Sequence, residues 1–399
     1  QRQMCIRDRF KSGDEKNLFG KANLQPVAAA MLTRGTKTMT RSEIEDRMTE
    51  LKMAGSITNF TTTRKNLPAA LELVFDAMHN SIMPQDEFDQ FKKQMQVMIE
   101  SMRDKPDALA QNAITQHFNT YPKGDPRYEY SLDESLEQLN KLTVDQVRAF
   151  YKEFGGTSRG EISIVGDFDP KTVEKIIRDD YAKYVSKAHY APVVTEYRPV
   201  KATRVVIDTP DKENAIIVAR SVFPINDTAP DAPALTVANW ILGGGTGLSN
   251  RLIERLRQKE GLSYGAGSHV RIPAKGDNGS FVFRAIVAPQ NMLQAEASAR
   301  DVIAKAIKDG FTDQEVEEAK KGLLQAMQVA RSQDDVVARS WNDKMENQRT
   351  WVFSKKQAEA ISKLTTADVN AALRKYIKPD EITFVLAGDQ KKAAQKKQD

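Results

Sequence analysis

The chain repeats itself, and this repetition restricts its possible folds more than any other feature of the sequence. Four short segments of the first half recur in the same order in the second half, about 210 to 228 positions later. The matched segments are 32–36 with 242–246, 84–88 with 312–316, 142–147 with 364–369, and 161–167 with 381–387. One weak match would carry no information, but four in register predict two copies of one domain of about 200 residues.

The join between the copies is predicted at 188–201, where Tyr, Pro and Val alternate without a helical period. Pro192 and Pro199 fit an extended linker, because proline disfavours a helical conformation in the residue before it. We therefore predict a first domain at residues 10–190 and a second at 202–390. A length of 399 residues agrees with about two to three domains.

Each copy is predicted to be α+β. In the second copy, β-branched or alternating runs at 204–207, 215–222, 264–271 and 279–287 predict strands, and long helical patterns precede a last strand at 381–386. This order predicts two tandem homologous domains, each a mostly antiparallel sheet with helices packed on one face. Between strands, Gly243–Gly245 is expected to end a helix in a left-handed cap, and Ser249 is expected to cap the next helix.

The first copy is expected to be incomplete at its start. The strands that open the second copy have no recognised counterpart before Leu18, which predicts that about 40 residues are missing. The string Met4–Arg9 resembles translated sequencing-adaptor sequence and is expected to be non-native; the alternative is an ordinary basic N-terminal arm. Cys5 has no resolving thiol or base near it in the sequence, so we assign it no redox role.

The composition excludes several classes of function. The net charge of +5, from 59 basic and 54 acidic residues, is too balanced to indicate binding to nucleic acid or to an anionic membrane. The longest apolar runs are too short to span a bilayer. A single cysteine excludes an internal disulfide framework and a cysteine-based zinc site, and four histidines leave little room for a histidine-rich one.

The segment 242–264 carries the most specific resemblance to a known family. From Leu242 through Gly243–Gly245 to Tyr264 it resembles the signature of the non-catalytic domains in the pitrilysin/insulinase family of zinc peptidases. Segments 30–38 and 165–167 of the first copy also resemble that family, and the resemblance covers about residues 11–390. It implies that an active enzyme contains four such domains, in two halves that close like a clamshell around a peptide. In other members the halves are separate subunits.

The zinc motif of that family, H-x-x-E-H, is missing from this chain. The corresponding stretch 26–30 reads Pro-Val-Ala-Ala-Ala and places Ala29 where the general base is expected. Glu100 is the candidate for a surviving distal glutamate, but one carboxylate cannot hold zinc. The histidines are too scattered for a local pair; they are His79, His117, His189 and His269. The resemblance therefore implies no catalytic residue, metal site or cofactor in this chain, and zinc in a complementary catalytic half.

Arg257 and Tyr264 are the candidate substrate-binding residues. They match the family's paired arginine and tyrosine of the C-terminal half, in the frame Arg-x-Lys-Glu-x-Leu-x-Tyr. The resemblance implies that both reach toward the scissile peptide, where a guanidinium and a phenol can donate hydrogen bonds. A structural alternative remains open: Arg257 could pair with Glu254 or Glu260, and Tyr264 could be an ordinary strand aromatic.

Two functions follow from the resemblance. The chain is expected to be the non-catalytic C-terminal half of a zinc endopeptidase, with an N-terminal catalytic half and a peptide substrate as its partners. The alternative is a separate inactive subunit or scaffold that pairs with an active peptidase subunit. The resemblance also favours the periplasm as the compartment, and low cysteine content is compatible with it.

Overall fold

The computed structural model describes residues 4–245 and 250–395, which form two sheets surrounded by helices. The elements of the first half, in chain order, are β1 Met4–Phe10, α1 Leu24–Met31, α2 Arg41–Glu50, β2 Ala54–Ser56, β3 Asn59–Thr62, α3 Leu67–Asn80, α4 Gln85–Glu100, α5 Pro106–His117, α6 Leu132–Lys141, α7 Val144–Phe154, β4 Gly160–Val165 and α8 Pro170–Asp179, followed by a 3₁₀ turn, Tyr181–Lys183.

The second half follows the same plan with longer strands. Its elements are β5 Arg204–Asp208, β6 Ala215–Pro224, α9 Ala232–Asn239, a π-helical turn Trp240–Gly244, α10 Arg251–Ile253, a second π-helical turn Glu254–Lys259, β7 Ser263–Arg271, β8 Asn278–Val287, a 3₁₀ turn Pro289–Asn291, α11 Met292–Asp309, α12 Asp313–Ala330, α13 Asp334–Glu346, α14 Trp351–Lys363, α15 Thr366–Tyr376, a 3₁₀ turn Pro379–Glu381, β9 Thr383–Gly388 and α16 Gln390–Gln395.

The predicted α+β fold class is confirmed. The first sheet has the order β2-β3-β1-β4 and is antiparallel throughout. The second has the order β5-β9-β6-β8-β7, in which only the pair β5–β9 is parallel. Each sheet carries its own hydrophobic core; Phe60 and Phe88 are fully buried in the first, and Phe281 and Phe283 in the second.

Matched capping signals mark the two copies. Thr143 caps α7 and Thr365 caps α15, and in both cases the side chain three positions later returns a hydrogen bond to the backbone of the capping threonine. This reciprocal arrangement satisfies two of the free backbone groups at a helix start. Segments 142–147 and 364–369 therefore match because both begin the helix that leads into the last strand of a sheet.

Residues 191–203 between the two sheets form no helix or strand. They are nevertheless hydrogen-bonded to both halves of the chain. Arg127 of the first half donates to the carbonyl of Val194 (2.8 Å), and the backbone N–H of Tyr197 donates to Asp277 of the second half (2.7 Å). An extended connection at this place agrees with the sequence, while the bounds 10–190 and 202–390 stay predictions.

The expectation that the opening strands of the second copy have no counterpart before Leu18 is wrong for one of the two strands. Strand β1 precedes Leu18 and corresponds to β6. β1 lies between β3 and β4 and pairs antiparallel with both, as β6 does with β8 and β9. Met4 and Ile6 point into the first core and Phe10 packs against it, which is the period of two expected of a strand. The charges at Arg7, Asp8 and Arg9 obscured that period. No strand in the described residues of the first half corresponds to β5.

Each sheet is also covered on its second face by a helix from the other half, an addition that the prediction did not include. Ala110 and Ile114 of α5 are buried against β6 and β9. Helix α13 of the second half packs on β1 and β4 of the first sheet. Its buried Asn342 donates a hydrogen bond to the carbonyl of Arg7 (2.9 Å) and accepts one from the Ser163 hydroxyl. Helical periodicity indicates that a helix has an apolar side, but it does not indicate which sheet that side packs against. The sequence alone therefore could not show that α5 and α13 each pack on the sheet of the other half.

Gly243–Gly245 does not form the expected left-handed cap. The chain leaves α9 through a π-helical turn, and Gly245 ends it at φ −65°. Glycine is required at Gly243 by close packing, because a Cβ atom there would lie 2.5 Å from Ser268 Oγ and 2.7 Å from Ser268 N. The expected cap residue Ser249 lies outside the described residues, and Asn250 caps α10 by accepting from the N–H of Ile253 (2.9 Å).

Candidate functional site

The segment that carries Arg257 is anchored by leucines. Leu252 and Leu256, four positions apart, are fully buried in the second core, so the helical turn between them is fixed. Arg257 follows and is exposed. Within residues 4–245 and 250–395 its side chain has no hydrogen bond or ion pair, because Glu254 pairs with Lys259 (2.8 Å) and Glu260 pairs with Arg255. The alternative pairing of Arg257 with Glu254 or Glu260 is therefore not what the structure contains.

Tyr264 lies at the beginning of the edge strand β7 and is 66% exposed. An irregularity in the β7–β8 register falls between Ser263 and Gly265. The Ser263 hydroxyl stabilises this irregularity, because it accepts a hydrogen bond from the N–H of Gly265 (3.0 Å) and donates one to the carbonyl of Gly265 (2.7 Å). Bulges of this kind re-aim a side chain away from the regular alternation. Tyr264 consequently points to solvent instead of packing as an ordinary strand aromatic.

The fold brings the segments of Arg257 and Tyr264 together. The backbone N–H of Leu262 donates to the carbonyl of Leu256 across the intervening turn (2.8 Å). This bond joins the residue just before Arg257 to a residue two positions before Tyr264. The two candidate residues therefore leave the same edge of the second sheet, both exposed to solvent.

A groove of about 470 Å³ begins beside Tyr264 on the second face of β7 and β8. Its floor includes Gly265 and Gly267, which have no side chains, together with residues of β8. Helix α5 covers β5, β9 and β6 on this face. Its first turn reaches the groove through Asp107, which accepts a hydrogen bond from Arg284 (2.6 Å). Sequence reasoning missed this groove; the only signal was the Gly-x-Gly spacing, which puts both glycines on one face of the strand.

The positions assigned to the zinc motif do not fit a metal ion. Pro26 and Ala30 line a pocket between α1, α4 and α6, and neither side chain carries a ligand atom. Ala29 lines a different cavity, next to Phe10 and Tyr151. Glu100 is exposed, pairs with Arg103 (3.0 Å) and does not line the pocket of Pro26 and Ala30.

The remaining potential ligands are dispersed. His79 packs against Phe75, and the other histidines, His117, His189 and His269, lie on separate elements. Among the residues with described positions, no group of three or more His, Cys, Asp or Glu side chains could hold a metal ion. No described helix is both long enough and apolar enough to cross a membrane.

The sequence matches a family of peptidase domains. The family model named peptidase M16 inactive domain matches residues 141–323. A protein of Mycobacterium tuberculosis named as an uncharacterized zinc protease is 24% identical over 299 residues, which cover 72% of this chain and 66% of that protein. The chain thus matches slightly less than two thirds of the length of that relative.

Solved structures share the fold over almost the whole chain. A peptidase M16 inactive domain from Pseudomonas fluorescens superimposes with a TM-score of 0.81 at 21% identity, covering 97% of this chain and 92% of that one. The periplasmic protease PqqL of Escherichia coli gives a TM-score of 0.69 at 15% identity, covering 97% of this chain but 43% of that one. The match of residues 141–323 and the shared fold confirm the resemblance to the M16 peptidase family, the pitrilysin/insulinase family, and in particular to its inactive domain.

Proposed function

We propose that the chain is the non-catalytic C-terminal half of a zinc-dependent endopeptidase and that Arg257 and Tyr264 contact the peptide substrate. The observation that carries this proposal is the pair itself: an exposed guanidinium without a partner in the described chain and a 66% exposed phenol at one sheet edge. Large exposed side chains that the fold leaves unused are candidates for binding. The groove that starts at Gly265 would accommodate the chain of the peptide beyond them.

Each side chain has a role that suits its chemistry. The planar guanidinium of Arg257 donates two parallel hydrogen bonds, which fits a peptide carbonyl or a substrate carboxylate. The phenol of Tyr264 donates one hydrogen bond to the carbonyl oxygen of the scissile peptide while negative charge develops there. Losing one such donor typically lowers the rate by roughly 10²–10³-fold.

Zinc and the general base would come from a complementary N-terminal catalytic half. This chain lacks a ligand at Pro26 and Ala30, whereas matched relatives carry the name zinc protease. The catalytic half lies upstream in the same chain or in a separate subunit. In either arrangement the two halves would enclose the peptide as a clamshell chamber. By likeness to PqqL, which is described as periplasmic, we propose the periplasm as the compartment.

A separate inactive subunit or scaffold is the second candidate. It is supported by the Pseudomonas fluorescens structure, which is named an inactive domain and of whose chain 92% is covered by this chain. In a scaffold, Arg257 and Tyr264 would not affect hydrolysis by the partner.

The test is peptide hydrolysis by this chain mixed with a catalytic half from the same source. Tyr264→Phe should lower kcat roughly 10²-fold or more, and Arg257→Ala should lower kcat/KM. Tyr190→Phe and Arg47→Ala, which remove a phenol and a guanidinium elsewhere, should change neither. Unchanged hydrolysis in both Tyr264→Phe and Arg257→Ala would reject the proposed contacts and leave the scaffold.

A further inference from the structure

The pocket at the degenerate zinc-motif positions is an open cavity of about 500 Å³. It lies between three helices, with Pro26 and Ala30 on α1, Met95 on α4 and Leu139 on α6 in its wall. A volume of about 300–1,000 Å³ is typical of small-molecule sites.

The wall of this pocket is mainly apolar and carries little charge. Val27, Phe91, Ile99 and Leu142 add to the apolar residues already named, and two tyrosines complete the aromatic side. Glu129 is the one acidic residue in the lining, and no lysine or arginine lines the pocket. An anionic ligand would therefore be desolvated without a compensating cation, so the wall favours an uncharged ligand.

Polar groups at the margin are fixed before any ligand binds. Asn23 donates to Gln138 (3.2 Å), which links α1 to α6 beside the pocket. Tyr128 donates to Glu134 (3.0 Å), and its ring contacts that of Tyr130 edge to face, with centroids 5.0 Å apart. A preformed wall lowers the ordering cost of binding.

We propose that this pocket is a binding site for an uncharged apolar group that has a hydrogen-bonding end. The apolar group would lie between α1 and α4, and its polar end would meet Asn23 or Gln138. The group could be a pair of neighbouring bulky side chains of a peptide or a free small molecule of the same chemistry. Positions that hold zinc in active relatives would then serve binding here. The proposal does not need a catalytic half, so it is tested on this chain alone.

The probe is N-phenyl-1-naphthylamine, an uncharged aromatic molecule whose fluorescence rises in apolar sites. The chain should bind it saturably with one site, and Ala30→Trp, which fills the pocket, should weaken binding at least tenfold. Val97→Trp is the matched control, because Val97 lies on α4 outside the pocket and is 64% exposed. Circular dichroism checks the fold of each variant, and Met95→Trp replaces Ala30→Trp if the latter does not fold.

Two further arms define the ligand. Anilinonaphthalene sulfonate, which adds a negative charge to a similar skeleton, should bind this site at least tenfold more weakly. Displacement of the neutral probe by acetyl-Phe-Leu-amide would indicate peptide side chains, and displacement only by octanol would indicate a free small molecule. Three results would each overturn the proposal. They are a lack of saturable binding, equal binding by the wild type and the folded filling variant, and displacement by neither competitor.

Discussion

Replacing Asp8 by valine should stabilise the chain, and the gain should grow as the pH rises. Asp8 lies on the same face of β1 as Met4, Ile6 and Phe10 and so points toward the first core. The residue is partly exposed as a whole, but both carboxylate oxygens are buried and have no hydrogen-bond partner in the described structure. Burial without a partner is the condition under which a carboxylate is most costly.

The magnitude follows from the pKa of this carboxyl group. Burial raises the pKa of Asp8 from 3.8 to about 8. Between these pH values the folded chain retains a proton that the unfolded chain has lost, so the free energy of unfolding falls as the pH rises, by at most about 1.4 kcal/mol per pH unit. The penalty is absent below pH 3.8 and reaches about 4 kcal/mol at pH 7.

The assay is urea unfolding of the wild type and Asp8→Val at several pH values between 4 and 8. The stability difference between the two proteins should be small at pH 4 and should rise to a few kcal/mol at pH 7. Taking the difference cancels the titration of all other groups. Asp145→Val, at a carboxylate that is 85% exposed on α7, is the control and should show no such dependence. A difference for Asp8→Val that stays flat with pH would refute the reasoning.

Three further predictions concern packing. Gly243→Ala should lower the free energy of unfolding by about 1–3 kcal/mol, because its Cβ would clash with Ser268. Gly265→Ala, whose Cβ would meet no atom within 4 Å, should lower it by less than about 1 kcal/mol, and urea unfolding of both variants checks the difference. Asn342→Ala should cost about 1–3 kcal/mol by thermal unfolding, since it removes the donor to the partly buried backbone carbonyl of Arg7 and the acceptor of the buried Ser163 hydroxyl. Ile114→Ala should lower the free energy of unfolding by about 2–5 kcal/mol and should speed amide hydrogen exchange in β6 and β9. Unchanged hydrogen exchange in these strands would contradict the packing of α5 on the second sheet.

Local signals in the sequence were sufficient for most of the fold. The sequence predicted the five strands β5 to β9 of the second copy, and the repeated segments 142–147 and 364–369, which begin α7 and α15, supported the comparison of the copies. Both signals depend on a few neighbouring residues, so they can be read without knowing the tertiary structure.

Long-range packing could not be predicted in the same way. The covering of each sheet by α5 or α13 depends on which surfaces meet, and β1 was missed because its charges interrupt the alternation of Met4, Ile6 and Phe10. The glycines after α9 illustrate a related difficulty, since Gly243 is required by contact with Ser268, a residue 25 positions away in the sequence.

The candidate site was predicted in part, and only through resemblance. Arg257 and Tyr264 have no local feature that distinguishes them from other surface residues, and their contact with substrate stays a prediction. The groove beside Tyr264 and the pocket at Pro26 and Ala30 each combine several elements, so no single stretch of sequence indicates them.

The most direct test of the account measures zinc content and peptide hydrolysis for this chain alone and after addition of a catalytic half from the same source. We expect no stoichiometric zinc and no hydrolysis from the chain alone, and hydrolysis from the mixture well above that of the catalytic half by itself. Stoichiometric zinc and cleavage by this chain alone would contradict the absence of ligands at Pro26 and Ala30. A mixture no more active than the catalytic half alone would contradict the proposed role.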